Sequence, residues 1–162
     1  MKKFLFAAFA LMGAYSATSQ TFGLGVSGGY LTEIESIGVS GDVVYEFNDS
    51  FGIATTATFT FTEESGVRTK WFALDLNGRY KLVEELYVLA GGQYLDVTVK
   101  QLGLGGGVIG DASTSSDSEF GINAGAGYKY NLVDNVNLFT EVKYVFLDAG
   151  YLHARLGLQF DF

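Results

Sequence analysis

Apolar and polar positions alternate with a period of two along most of residues 20–162, and each alternating run ends in a cluster of turn-forming residues. That period belongs to a β-strand with one apolar and one polar face. The last run shows it plainly: Leu152, Ala154, Leu156, Leu158, Phe160 and Phe162 share a face, and Tyr151, His153, Arg155, Gly157, Gln159 and Asp161 lie between them. Seven runs precede it, near 22–30, 37–47, 51–61, 70–81, 86–95, 119–130 and 136–147. Phe22, Leu24, Val26, Gly28 and Tyr30 form the apolar face of the first, and Phe72, Leu74, Leu76 and Tyr80 that of the fourth. The fifth is the least regular, because Tyr87 and Leu89 add apolar residues to the face opposite Leu86, Val88, Ala90 and Tyr94.

The connections alternate too. Tight turns are predicted near 48–50, 82–85 and 131–135, and the other connections near 31–36, 62–69, 96–118 and 148–150, the third of these being the longest. Eight strands with short turns at one end and longer loops at the other predict an all-β, eight-stranded antiparallel up-and-down transmembrane β-barrel with both termini on the short-turn side.

The amino-terminus changes the setting. Lys2 and Lys3, the apolar stretch Phe4–Tyr15 and the small residues Ala17-Thr18-Ser19 have the order of a secretory signal. Residues 1–19 are therefore read as a signal peptide cleaved before Gln20, and 20–162 as one domain. The chain of 162 residues has no cysteine, which rules out disulfides, thiolate metal sites and a cysteine nucleophile, and no proline. No later stretch is long and apolar enough for a spanning helix, so a membrane location requires a closed sheet with no open edge in lipid.

A soluble ligand-binding barrel would turn its apolar face inward. Here the aromatics after Ser19 fall mostly on the apolar face and gather at strand ends, for example Phe51 and Phe61, Phe72 and Tyr80, Phe120 and Tyr130. Two aromatic bands around an aliphatic middle suit the two membrane interfaces, so the apolar face is assigned to lipid. The other face is rich in small and hydroxylated residues, as a narrow lumen requires. It also carries acids Asp42, Glu46, Asp75, Glu119, Glu141 and Asp161 and bases Lys70, Arg79, Lys81, Lys129, Lys143 and Arg155. Charges in a narrow interior must pair to offset desolvation. A lumen polar network of Asp42, Glu46, Asp75, Arg79, Lys129, Glu141, Lys143 and Arg155 is the expectation.

Over nearly all of 20–162 this pattern resembles the small eight-stranded outer-membrane β-barrel family that includes the OmpA transmembrane domain and OmpX-like proteins. The resemblance rests on the eight alternating runs and on the ending Leu156-x-Leu158-x-Phe160-x-Phe162. It implies a bacterial outer-membrane location, contact with lipid and lipopolysaccharide, and engagement of the barrel assembly machinery through that ending. A monomer without cofactor is expected.

Local motifs are read more plainly. Residues 105–110 fit G-x-G-x-x-G but lack the strand, helix and βαβ context of a dinucleotide site, so a surface loop is predicted. Asn48-Asp49-Ser50 is read as turn chemistry. The sole histidine, His153, has no serine in local register for a hydrolase, and a hydrogen-bonded lumen histidine is predicted. Glu33, Glu35, Glu63 and Glu64 form an acidic group at the loop end without the spacing of a Ca²⁺ loop. With 18 acidic against 10 basic residues and no basic patch, nucleic acid is excluded as a partner. The function expected is a non-enzymatic scaffold displaying surface loops for binding or envelope integrity; the alternative is a narrow pore for ions or small solutes.

Overall fold

The alternation is realised as eight strands wound into one closed sheet in chain order: β1 (Thr21–Leu31), β2 (Ser36–Glu46), β3 (Phe51–Glu64), β4 (Val67–Lys81), β5 (Leu86–Gln101), β6 (Thr114–Val133), β7 (Val136–Phe146) and β8 (Tyr151–Asp161). This computed structural model describes residues 20–64, 67–101 and 114–162. The signal-peptide assignment (1–19) and the glycine-rich motif (105–110) lie outside the described residues. Every neighbouring pair is antiparallel, and β1 closes on β8 from Gly23↔Asp161 to Leu31↔His153. At the seam the Phe162 N–H donates to the Phe22 carbonyl at 2.7 Å.

Side chains sort by parity. Ile37 and Phe120 on the outside are 74% and 80% exposed, whereas Thr56 and Asp75 inside are 0% exposed. Aromatic pairs flank the outer surface. Phe59 meets Phe72, Tyr94 meets Phe120 and Tyr144 meets Phe146 toward the loop end, each at 4.9 Å between ring centroids. Phe51 meets Tyr80 at 4.9 Å and Tyr45 meets Phe47 at 5.1 Å toward the turn end. Between these bands lie Leu24, Val26, Val43, Leu74, Leu76, Val142 and Leu156, all exposed.

The tight turns follow local chemistry. Asn48 Oδ1 accepts the N–H groups of Ser50 (2.9 Å) and Phe51 (2.8 Å), an Asx turn that starts β3. Asn135 takes φ 66°, a left-handed conformation asparagine tolerates well, and lets β6 and β7 join after a register shift between Asn131 and Val133. β6 therefore continues to Val133, into the turn expected at 131–135.

Two expected loops are partly strand. The 62–69 connection contracts because β3 and β4 stay paired up to Glu64↔Val67. Much of 96–118 joins the sheet, with β5 and β6 paired from Leu86↔Tyr128 to Lys100↔Thr114. Val97, Thr98 and Val99 favour strand. Outside the apolar belt the outward positions become Lys70, Asp96, Thr98, Ser116 and Ser118, so the alternation fades while the ladder continues. The wall is consequently uneven. β1, β2, β7 and β8 have 11 residues each, while β3 to β6 have 14, 15, 16 and 20. The long half stands above the short half at the loop end.

Strand five has no register break. Tyr87, Leu89, Gln93 and Leu95 face inward and are buried. Tyr87 lies directly on Gly127, where a Cβ would come within 2.3 Å of its Cζ. A glycine is needed there because the ring occupies the space of any side chain.

Candidate functional site

The interior is filled by side chains in three tiers. Nearest the turns, Glu46 accepts from Lys81 Nζ (2.5 Å) and Lys129 Nζ (3.1 Å), and Lys129 also reaches Asp161 at 3.2 Å. Asn137 and Gln159 donate to the same Asp161 carboxylate. The middle tier centres on Arg155, which meets Asp42 Oδ1 through Nη1 (2.6 Å) and Glu141 Oε1 through Nη2 (2.6 Å) and Nε (2.8 Å). Glu141 Oε2 in turn accepts from Arg79 (3.1 Å) and from the Tyr87 hydroxyl (2.9 Å). Thr56 donates to Asp42 Oδ1 at 2.6 Å. The upper tier is Lys143 Nζ at 2.6 Å from Asp75 Oδ2, with Gln93 and Asn123 donating to Asp75 Oδ1.

All eight residues proposed from the sequence face this interior, and every one is in an ion pair. The middle and upper tiers hold three acids and three bases, which closes the charge account inside a medium where an unpaired charge is costly. Arg79 lies over the Tyr87 ring (4.8 Å) and Arg155 over the Phe139 ring (5.2 Å), so two of the four inward aromatics among the described residues face these guanidinium groups.

The other two inward aromatics belong to a cap. Tyr151, Leu31 and Val145 are buried, with Ile34, Trp71 and Leu147 packed against them; Trp71 meets Tyr151 edge-on at 5.7 Å. The Tyr151 hydroxyl donates to Gln93 Oε1 at 2.7 Å and ties this apolar cap to the upper tier. At the turn end, a cavity of about 10 Å³ lined by Glu46, Arg79, Lys81, Tyr87 and Lys129 has room for about one water.

Two expectations need correction. Lys70 is not in the lumen: it is exposed, pairs in register with Phe61, and holds its ammonium 5.7 Å from that ring. Its even position shares the outward parity of Phe72 and Leu74, and the rim allows a lysine to keep its charge in water. His153 does face inward, 1% exposed, but its Nε2 has no hydrogen-bond partner. Gly29 makes room for it, since a Cβ there would lie 2.7 Å from Nε2. Among the described residues no group of three or more His, Cys, Asp or Glu could hold a metal ion.

Tyr87, Gln93, Asn123 and Tyr151 were not singled out from the sequence. The inward parity of strand five, Tyr87-x-Leu89-x-Gly91-x-Gln93-x-Leu95, was the available signal for the first two. Leu156, Leu158, Phe160 and Phe162 all lie on the outward side of β8, with Phe162 75% exposed.

At the loop-side rim the long half of the wall has an open edge. β6 pairs with β7 only from Ile122↔Phe146 onward. Among the described residues, Thr114–Phe120 therefore has β5 on one side and no strand on the other. Asp117 is exposed and Glu119 half-buried; Glu119 Oε1 accepts the Asp148 N–H at 2.9 Å.

No family model and no curated protein matches the chain. Solved structures do. The chain shares its fold with outer-membrane barrels. Ail, the attachment invasion locus protein of Yersinia pestis, is 20% identical with TM-score 0.60, covering 88% of this chain and 97% of that one. The N-terminal β-barrel domain of Pseudomonas aeruginosa OprF is 17% identical with TM-score 0.61, over 89% and 100%. A major outer membrane protein of Thermus thermophilus is 15% identical with TM-score 0.76, over 90% and 100%. At these identities the likeness is one of fold, and function has to be argued from the residues.

Proposed function

We propose that this chain is an integral protein of a bacterial outer membrane, a closed and non-conducting scaffold that presents its loop-side rim for binding. The observation that carries the reading is the sorting across one wall: an apolar belt with two aromatic borders outside, a paired charge network inside. In water that outer surface would be an aggregation site; in lipid it is the required one. The outward run from Val136 to Phe146 spans about 25 Å at about 3.3 Å per residue and the usual tilt of roughly 40°, the height of such a belt. Residues 1–19 are read as the export signal removed before Gln20, and Leu156, Leu158, Phe160 and Phe162 as the ending the assembly machinery engages.

The filled lumen supports the non-conducting reading, since a pore would need a continuous water path through the three tiers and past the Trp71–Tyr151 cap. Burial of His153 supports a non-enzymatic one, because a catalytic group must reach its substrate. Neither Ail nor OprF supplies the partner. Ail has been solved with the heparin analogue sucrose octasulfate, whereas the rim here presents Glu33, Glu35, Asp117 and Asp148 to solvent and would repel a sulfated sugar.

The test is fractionation with heat-modifiability. The mature chain is expected in the outer-membrane fraction, resistant to SDS until boiled and shifted in mobility afterwards. A soluble chain, or one whose mobility ignores heating, overturns the reading.

A further inference from the structure

We infer that Gln20, once it becomes the first residue of the mature chain, is a covalent modification site: it closes on itself to pyroglutamate, a terminus without an amine. The inference rests on the export reading above, which places cleavage between Ser19 and Gln20, and it names what then happens to the new end. Its first support is chemical. A glutamine that has lost the peptide bond before it carries an α-amine and a side-chain amide on one short tether. Part of an α-amine is unprotonated near neutral pH, so the nucleophile is present. The α-nitrogen attacks Cδ and a bond forms between them. The Cδ–Nε2 bond breaks, and Nε2 takes the proton that the amine gives up and leaves as ammonia. Nothing is oxidised or reduced, and no co-reactant is consumed. The tether makes the attack intramolecular and the product a small unstrained lactam.

The second support is where the structure puts Gln20. It is exposed and immediately precedes β1, which begins at Thr21. The β1–β2 register starts at Thr21↔Glu46 and the β1–β8 register at Gly23↔Asp161, so ring closure lies outside both ladders and disturbs neither. A bond across the seam runs from the Phe22 N–H to the Phe162 carbonyl at 3.4 Å, two residues further along. The charge of the amine is also dispensable. The lumen tier nearest this end, Glu46, Lys81, Lys129 and Asp161, pairs two acids with two bases without it. A terminal ammonium beside that tier would add a third cation to a balanced set, and a lactam adds none. The product also closes the chain to aminopeptidases, which need a free α-amine.

The experiment expresses the full chain, 1–162, in a Gram-negative host and isolates it from the outer-membrane fraction at neutral pH. A protease that cuts after glutamate releases residues 20–33, because Glu33 is the first glutamate beyond Gln20. Mass spectrometry reads the mass and fragment ions of that peptide. It is expected to start at Gln20 and to be about 17 Da lighter than its sequence, the mass of the ammonia lost, with the loss confined to the first residue. A synthetic, isotope-labelled 20–33 peptide added at cell lysis controls for closure during work-up and is expected to stay open. The Gln20→Ser chain is expected to be cut at the same bond and to keep its full mass and a free amine. The same loss in that variant would place it elsewhere in the peptide and overturn the assignment. A native peptide that begins at Gln20 with its full mass overturns the inference and leaves the export reading standing. A labelled peptide that closes to the same extent also overturns it, because the lactam is then a product of handling. A chain that begins at any other residue fails the cleavage reading itself and takes the inference with it.

Discussion

The lumen and the β5–β6 extension are made from the same alternating strand, yet they treat polar groups in opposite ways. Inside, Arg155 pairs with Asp42 and Glu141 at once, and Glu141 accepts from Arg79 and Tyr87 as well. Along Thr114–Phe120 a row of backbone groups has no strand beside it among the described residues. In the lumen the charged groups are paired with one another and hold the barrel shut, so substitutions there should change stability. At the extension bonding capacity remains, so substitutions there should change binding and leave the fold alone. The difference teaches where to look for function: at the loop-side rim, above the packed interior.

The comparison is broken most directly at Arg155. Arg155→Met keeps the volume but leaves Asp42 without its cation and Glu141 with Arg79 as its direct ion-pair partner, and should cost about 3–5 kcal/mol in a urea titration of the refolded barrel. A loss under about 1 kcal/mol would show that water, not the arginine, neutralises those acids. A smaller loss is expected from Gly127→Ala. The new Cβ would meet Tyr87 Cζ at 2.3 Å and push its hydroxyl off Glu141, for about 1–3 kcal/mol by the same titration.

How much of this was readable beforehand follows from the same physics. Parity needs only neighbours two apart, so the facing of Asp42, Asp75, Glu141 and Arg155 was legible in the sequence. Which of them meet was not, because contacts across the lumen depend on the stagger of all eight strands. Tyr87 and Leu89 made strand five look irregular, since an apolar residue facing inward is unexpected until its partner is known. Tyr87 faces inward because its ring lies beside Arg79 and its hydroxyl reaches Glu141. The extension was hidden for a different reason. Outside an apolar belt nothing forces one face to be apolar, so Ser115-Ser116-Asp117-Ser118 carries no alternation and reads as loop. At Lys70 parity outweighs chemistry: its charge suggests the lumen, but its even number shares a face with Phe72 and the side chain is exposed.

Two weaker perturbations sharpen the comparison. Asp117→Asn should shift stability by less than about 0.5 kcal/mol, since the side chain is exposed; a larger loss in the urea titration would make the extension part of the folding core. Raising salt to 1 M, where the screening length is about 3 Å, should weaken attraction of cationic ligands to the acidic rim. The same salt should leave the urea midpoint of the barrel almost unchanged once the ordinary salt effect on a charge-free control barrel is subtracted, because Asp75 and Lys143 are wholly buried. A midpoint that falls with salt would place solvent inside the lumen.

The central claim is that three charge tiers and an apolar cap close the barrel, leaving the rim as the functional surface. Single-channel recording of protein 20–162 in a planar bilayer tests it most directly. The account predicts a silent membrane from protein that is demonstrably folded by its heat-shifted mobility. Discrete, reproducible conductance steps that change with Arg79, Glu141 or Arg155 substitutions would contradict it and make the lumen a pore.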